Sequence, residues 1–231
     1  MNSIAAEAQI ASSQPSPIEL EVRRIRELAQ RGRHAEALGA AETLGVQVPE
    51  DRDVLLLIAL CQRHGNRVAE ALATLARLEQ LHPRCSRLFH ERGCCYVVMR
   101  DAPRAIDAFL RAVHINPALP ASWSMLEGLY RVCGQTENAA MAAAHVATLR
   151  KLPAEIVHAT SLFSDGELLP AENIVRAYLL QHGNHIEAMR LLARIGMARD
   201  VLDDAELLLE AVLALAPDYG AARHDYARVL V

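Results

Sequence analysis

His182 and His185 stand three residues apart, a spacing at which two imidazoles could share a metal ion. A structural zinc site needs four ligands. No cysteine or further histidine lies near the pair in sequence, so they read as polar residues of a loop. Cys94 and Cys95 are adjacent, and their side chains diverge around a helix instead of forming a ligand pair. Cys61 and Cys95 recur 34 residues apart, as expected of small buried hydrophobes. Asp203 and Asp204 open an apolar stretch, where negative charge complements a helix N-terminus. The sequence contains no GxGxxG, no GxxxxGK[ST] and no HExxH. These residues point to no catalytic constellation, no metal site and no cofactor, and the expectation is a non-enzymatic chain.

The elements that carry these residues repeat. Ala37, Ala71, Ala105, Ala139, Ala171 and Ala205 are spaced 34, 34, 34, 32 and 34 residues apart. Pro49, Pro83, Pro117 and Pro217 each follow their alanine by twelve residues. Lys151 takes that place in the fourth period, with Pro153 just beyond, and Gly183 takes it in the fifth, where a left-handed cap is expected. Each period reads as two helices. In residues 86–119, Phe89, Gly93 and Tyr96 share one face of the first helix at i, i+4, i+7 spacing. Pro103 sits near the start of the second, where its missing N–H costs nothing. Ala105, Phe109 and Ala112 share the inner face there, and Pro117 forbids continuation. Pro120 then restarts the pattern with Trp123.

Composition agrees with an all-α reading. Leu and Ala dominate, both strong helix formers, and only 4% of the 231 residues are aromatic. The net charge of -4 and a single lysine, Lys151, argue against a nucleic-acid stripe or a basic membrane surface. The longest apolar run, 54–61, is too short to span a bilayer. The N-terminal stretch lacks the basic and apolar regions of a secretory signal. With that absence, five cysteines imply reduced thiols and a cytoplasmic setting.

The chain resembles the tetratricopeptide repeat family. The resemblance rests on Phe89, Gly93, Tyr96, Ala105, Phe109, Ala112 and Pro117 in the third unit. It rests also on Trp123, Leu126, Tyr130 and Ala139 in the fourth, and on Leu192, Ala193, Ala205 and Pro217 in the sixth. It implies a right-handed superhelical solenoid of antiparallel helix pairs. The expected organisation is a disordered segment, 1–17, followed by units 18–51, 52–85, 86–119, 120–151, 152–185 and 186–219, and a terminal helix, 220–231. Each pair leaves an apolar face that the next pair covers. Small residues are expected where helices meet closely, and Phe109 and Trp123 are expected to fill the gaps between units. The 32-residue step predicts a change of curvature near 150–156.

Residues 186–230 are similar to the repeat region of bacterial proteins that join such repeats to a C-terminal sulfotransferase domain. That domain and its phosphate-binding loop are not in this sequence. The terminal helix ends on "VLV", so it is either the cap of the array or the front of a longer protein, and its apolar edge also suits self-association.

The family resemblance implies a concave face formed by positions 2, 5, 9, 12 and 13 of the first helices. The charged residues gathered there are Arg26, Arg63, His64, Arg87, His90, Arg131, Arg190 and Arg194, opposed by Glu19, Asp53 and Glu187. The implied function is a protein-interaction module that binds a protein or an extended, acidic peptide through arginine–carboxylate pairs.

Overall fold

The computed structural model describes residues 16–230, which hold thirteen α-helices and no strand. The chain divides into two compact units, residues 1–83 and 84–231. Most of the segment expected to be disordered lies outside the described residues. Its end does not: helix α1 already starts at Pro17, because Ser16 and Glu19 form a reciprocal capping box and Pro17 occupies the first turn.

The first unit contains α1 (Pro17–Gln30), α2 (His34–Gln47), α3 (Arg52–His64) and α4 (Val68–Leu81). These form two antiparallel hairpins, with α2 packed on α3 and α1 reaching α3. Ile25, Ala37, Ala41, Val54, Leu57 and Cys61 belong to one apolar core. Ala71 is also fully buried. The end of α4 is tied back to the preceding loop, where Arg77 donates to the Pro49 carbonyl at 2.8 Å.

The second unit contains α5 (Ser86–Val98), α6 (Ala102–Ile115), α7 (Pro120–Val132), α8 (Thr136–Arg150), α9 (Ala154–Ser164), α10 (Leu168–His182), α11 (Ile186–Ala198), α12 (Leu202–Leu215) and α13 (Gly220–Val229). Consecutive helices pack on one another with one exception: α8 does not pack along α9. Accordingly the cores separate. One gathers Ala105, Phe109, Leu126, Tyr130 and Ala139 from α6 to α8. Another gathers Ile156, Ala171, Val175, Ala188 and Ile195 from α9 to α11. A third joins α11 to α12 and α13 through Ala193, Ala205, Leu209 and Ala222.

The small residues do what their spacing predicts. Ala37, Ala71, Ala105, Ala112, Ala171 and Ala205 are fully inaccessible, and Ala139 is nearly so. A Cβ on Gly93 would lie 2.7 Å from the Phe109 ring, so the glycine makes room for that ring. Phe89 and Phe109 are fully buried. Tyr96 and Trp123 are only half-buried. Trp123 is not an interior plug: it stacks on His145 at 4.0 Å between ring centroids, and its indole N–H donates to the Pro117 carbonyl.

The turn inside each pair obeys a rule the alanines do not reveal. Gly32, Asn66, Arg100, Gly134, Gly166 and Asp200 all have φ between 59° and 82°. The next N–H reaches back five residues, as Arg33 does to Leu28 and Asp101 to Tyr96. This geometry satisfies carbonyls that a helix end leaves open. Gly183 also has positive φ, 70°, but its ψ of -146° is not the left-handed helical cap expected there.

Where α8 and α9 part, a polar seam takes over. Asn116, fully buried at the end of α6, donates from Nδ2 to the Ser161 hydroxyl at 2.8 Å and the Ser161 carbonyl at 3.1 Å. Its Nδ2 also lies 3.3 Å from the Ser86 hydroxyl. Its Oδ1 accepts from the Ala118 N–H at 3.0 Å. The residue before α5 is Cys85, which makes no side-chain cap. Asp165, distant in sequence, accepts the Ser86 N–H at 3.2 Å instead. Arg87 donates to Glu167 at 2.9 Å beside it. The turn after α9 is thus bonded to the two ends of the third helix pair.

Candidate binding site

The first helices place the eight residues of the expected face in different surroundings. In the first unit, Arg26 lies 3.7 Å from Asp53. Arg63 contacts the neighbouring His64 ring at 3.2 Å. That ring is stacked on His34 with centroids 4.0 Å apart, so it is held against α2.

In the second unit, Arg87 is committed to Glu167 within the polar seam. His90 is half-buried, with Nδ1 2.8 Å from the Ser122 hydroxyl and its ring against Phe109, so it serves the α5–α7 packing. Arg131 is exposed and paired within its own helix to Glu127. Arg26, Arg87 and Arg131 are thus each paired with an acidic residue of the chain itself.

Arg190 and Arg194 differ from the others. Both lie on α11, one turn apart, and both are half-buried. Arg190 Nε donates to the buried carboxylate of Asp225 on α13 at 2.7 Å, and Nη1 donates to the Tyr219 hydroxyl at 3.2 Å. Tyr219 in turn donates to Glu187 at 2.8 Å. Burial works against the charge of Arg190, but the Tyr219 and Asp225 oxygens outweigh it and hold the guanidinium above its ordinary value. Burial pushes the Tyr219 phenol up, helped by its bond to Glu187.

Arg194 lies over the Phe163 ring, 4.8 Å from its centroid. Among the described residues it has no hydrogen-bond or ion-pair partner. Burial, followed by repulsion from Arg190 and Arg228, lowers its guanidinium below the ordinary value, and Asp225 only partly opposes this. An open cleft of about 710 Å³ adjoins this cluster, lined by Leu152, Ile186, Glu187, Pro217 and Tyr219 among others.

Reading only charges missed half of this site. Phe163 occupies position 12 of the fifth unit, one of the face positions, and carries no charge. Tyr219 and Asp225 follow Pro217 and are brought to α11 only by the packing of α13. The His182 and His185 rings both pack on Tyr178, and the His185 ring accepts the Ala188 N–H at the start of α11. None of the five cysteines is in a disulfide, and Cys61, Cys85 and Cys95 are buried. Among the described residues, no three His, Cys, Asp or Glu side chains gather as a metal site, and no helix is long and apolar enough to cross a membrane.

Comparison with known proteins supports the repeat at two levels. Residues 53–84 match the sequence model of the tetratricopeptide repeat. No curated protein sequence matches the chain. Among solved structures, the chain is similar to one of Naa15/Naa10 bound to HypK-THB: 15% identity, 93% of this chain, 39% of that chain, TM-score 0.54. It is also similar to an IFIT1 monomeric mutant with Gppp-AAAA: 17% identity, 87% of this chain, 55% of that chain, TM-score 0.53. A thermophilic TPR protein of Thermus thermophilus shares 20% identity over 92% of this chain and 98% of its own, with a TM-score of 0.47. The chain thus spans well under two thirds of the first two. These likenesses concern the fold, an all-α array of helix pairs.

Proposed function

We propose that this chain is a non-enzymatic interaction module that binds a protein or peptide partner on the first-helix face of its C-terminal repeats. One observation carries the reading: Arg194 is half-buried on Phe163 beside two further arginines, and among the described residues no carboxylate is hydrogen-bonded or ion-paired to it, Asp225 offsetting their repulsion only in part. A desolvated charge without a partner costs stability, and an incoming ligand would relieve that cost. Sharing the tetratricopeptide fold is a weaker support, since fold and function are separable.

The test is affinity capture from the source cells with the intact chain and with Arg194→Glu. Expected is at least one protein retained by the former and lost by the latter. Equal capture by both would remove this face from consideration. A further expectation, self-association through the terminal helix, draws on the exposed side chain of Leu230. A clean monomer in light scattering at high concentration would dismiss it. The idea that these repeats belong to a sulfotransferase rests on the similarity of residues 186–230 alone.

A further inference from the structure

We propose that Cys94 is a nucleophilic thiol and the site at which peroxide oxidises this chain, with His90 as the base that takes its proton. Cys94 and His90 lie one turn apart on α5, and Cys94 Sγ is 3.6 Å from His90 Nε2. On the other edge of the ring, His90 Nδ1 is 2.8 Å from the hydroxyl of Ser122, a fully buried residue of α7. The Phe109 ring of α6 packs against the same imidazole, with centroids 5.4 Å apart. A thiol next to a histidine that a third group orients is the pattern of an activated nucleophile.

The two ring nitrogens have different tasks. Donation from Nδ1–H to the Ser122 oxygen leaves the Nε2 lone pair facing the thiol. Transfer of the Cys94 proton to Nε2 then gives a thiolate beside an imidazolium. The thiolate attacks one oxygen of hydrogen peroxide. The S–O bond forms, the O–O bond breaks, and the sulfur gives up two electrons to the peroxide. The departing hydroxide takes the proton from Nε2 and leaves as water. Cys94 ends as a sulfenic acid, and His90 returns to the neutral imidazole. The thiol is itself consumed, so this is a site of modification and not of turnover.

Surroundings separate Cys94 from the other cysteines. Cys61, Cys85 and Cys95 are buried, and buried structural thiols are inert. Cys133 is exposed, and among the described residues its thiol has no hydrogen-bond partner. Cys94 is half-buried. It occupies position 9 of the third unit and His90 occupies position 5, two of the positions expected on the first-helix face. Access alone therefore ranks Cys133 above Cys94. Activation by His90 reverses that order.

The test is brief labelling of the folded full chain with limiting iodoacetamide at neutral pH. Peptide mass spectrometry reads the rate at each cysteine, and fragment ions separate Cys94 from Cys95. A second sample is treated with dilute hydrogen peroxide, and the sulfenic acid is trapped with dimedone. Cys94 should be alkylated roughly tenfold faster than Cys133, since a free thiol is only a few per cent ionised at neutral pH and a paired thiolate largely so. The dimedone adduct should sit on Cys94. His90→Gln should slow Cys94 by about the same factor and leave Cys133 unchanged, and Ser122→Ala should slow it less. A loosened fold would have the opposite sign, because opening exposes Cys94 and speeds its labelling. Slower labelling of Cys94 than of Cys133 in the wild-type chain would overturn the proposal. An unchanged Cys94 rate in a His90→Gln chain that is folded by far-ultraviolet dichroism would overturn it too. Fast alkylation with no dimedone adduct would overturn the assignment to peroxide. If His90→Gln unfolds the chain, the wild-type ratio of Cys94 to Cys133 decides.

Discussion

Two seams hold the second unit together, and they work by different physics. Between α5, α6 and α7 the contact is apolar and depends on volume: Gly93 leaves the room that the Phe109 ring occupies, and Ala105 lets the helices approach. At the turn after α9 the contact is polar and depends on direction: Asn116, Ser86, Ser161 and Asp165 exchange hydrogen bonds across 30 to 79 residues of chain. Dispersion and burial reward any well-filled shape. Hydrogen bonds reward only the arrangement in which each buried donor meets its acceptor. A regular repeat can be built from the first kind alone. An irregular closure, where α8 leaves α9 uncovered, needs the second to define where the turn sits.

The largest expected effect comes from breaking the apolar seam. Phe109→Ala should cost about 3–5 kcal/mol in urea unfolding, as for other fully buried aromatics. Gly93→Ala should cost about 1–3 kcal/mol, because its new methyl would press on the same ring. Combining them is the sharper measurement. With the ring gone, the added methyl has space, so the double variant should be less destabilised than the sum by about 1 kcal/mol or more. Strict additivity would mean that Gly93 is not there to admit Phe109. Trp123→Ala should fall below the Phe109 value, since the indole is only half-buried against His145.

The polar seam should respond in a different place. Asn116→Leu nearly preserves volume but strands the Ser86 and Ser161 hydroxyls and frees the Ala118 N–H. Its expected cost is about 1–3 kcal/mol. Hydrogen exchange distinguishes this from a packing defect. Protection should fall in residues 161–167 and at the start of α5, while the amides of α6 around Phe109 stay protected. Uniform loss across α5 to α9 would show that the two seams are one cooperative structure and would dissolve the contrast.

This difference also explains what could be seen in advance. Volume repeats, so Ala105, Gly93 and their counterparts announced the helix pairs and their packing faces. The 32-residue step announced a joint near 150–156, and the α8–α9 gap lies there. The contents of the joint were hidden. Asn116 before a proline reads as an ordinary turn residue, and nothing periodic links it to Ser161 or Asp165. The left-handed turn position was also masked, because Asn66, Arg100 and Asp200 share it with three glycines. At the candidate site, Arg190 and Arg194 were visible as face positions. Their unequal fates were not, since Asp225 and Tyr219 form hydrogen bonds with only one of them, and that depends on how α13 docks. Charge types alone could not separate a braced arginine from one left without an anion.

The smallest effect concerns an ion cluster on the outside of an apolar seam. Glu172 on α10 pairs with Arg176 at 2.8 Å and with Arg199, 27 residues away at the end of α11. Burial alone would raise this carboxyl, but the two guanidiniums outweigh it and hold it below the usual glutamate range. A depressed folded value means stability that is present above the unfolded value, about 4.3, and lost as pH falls through the folded one. The wild-type chain should therefore lose stability on acidification from about pH 5 downward, with a share below about 1 kcal/mol from this cluster. Glu172→Gln should lower stability slightly at pH 7 and flatten the profile below pH 5. Against Asn116→Leu, measured over the same range, the comparison is direct. That variant keeps Glu172 and its two arginines, so its profile should still fall through the range that Glu172→Gln flattens. An unchanged acid profile in Glu172→Gln would place the ion pairs among exposed contacts of no energetic consequence, leaving the hydrogen-bonded joint as the polar tie that matters.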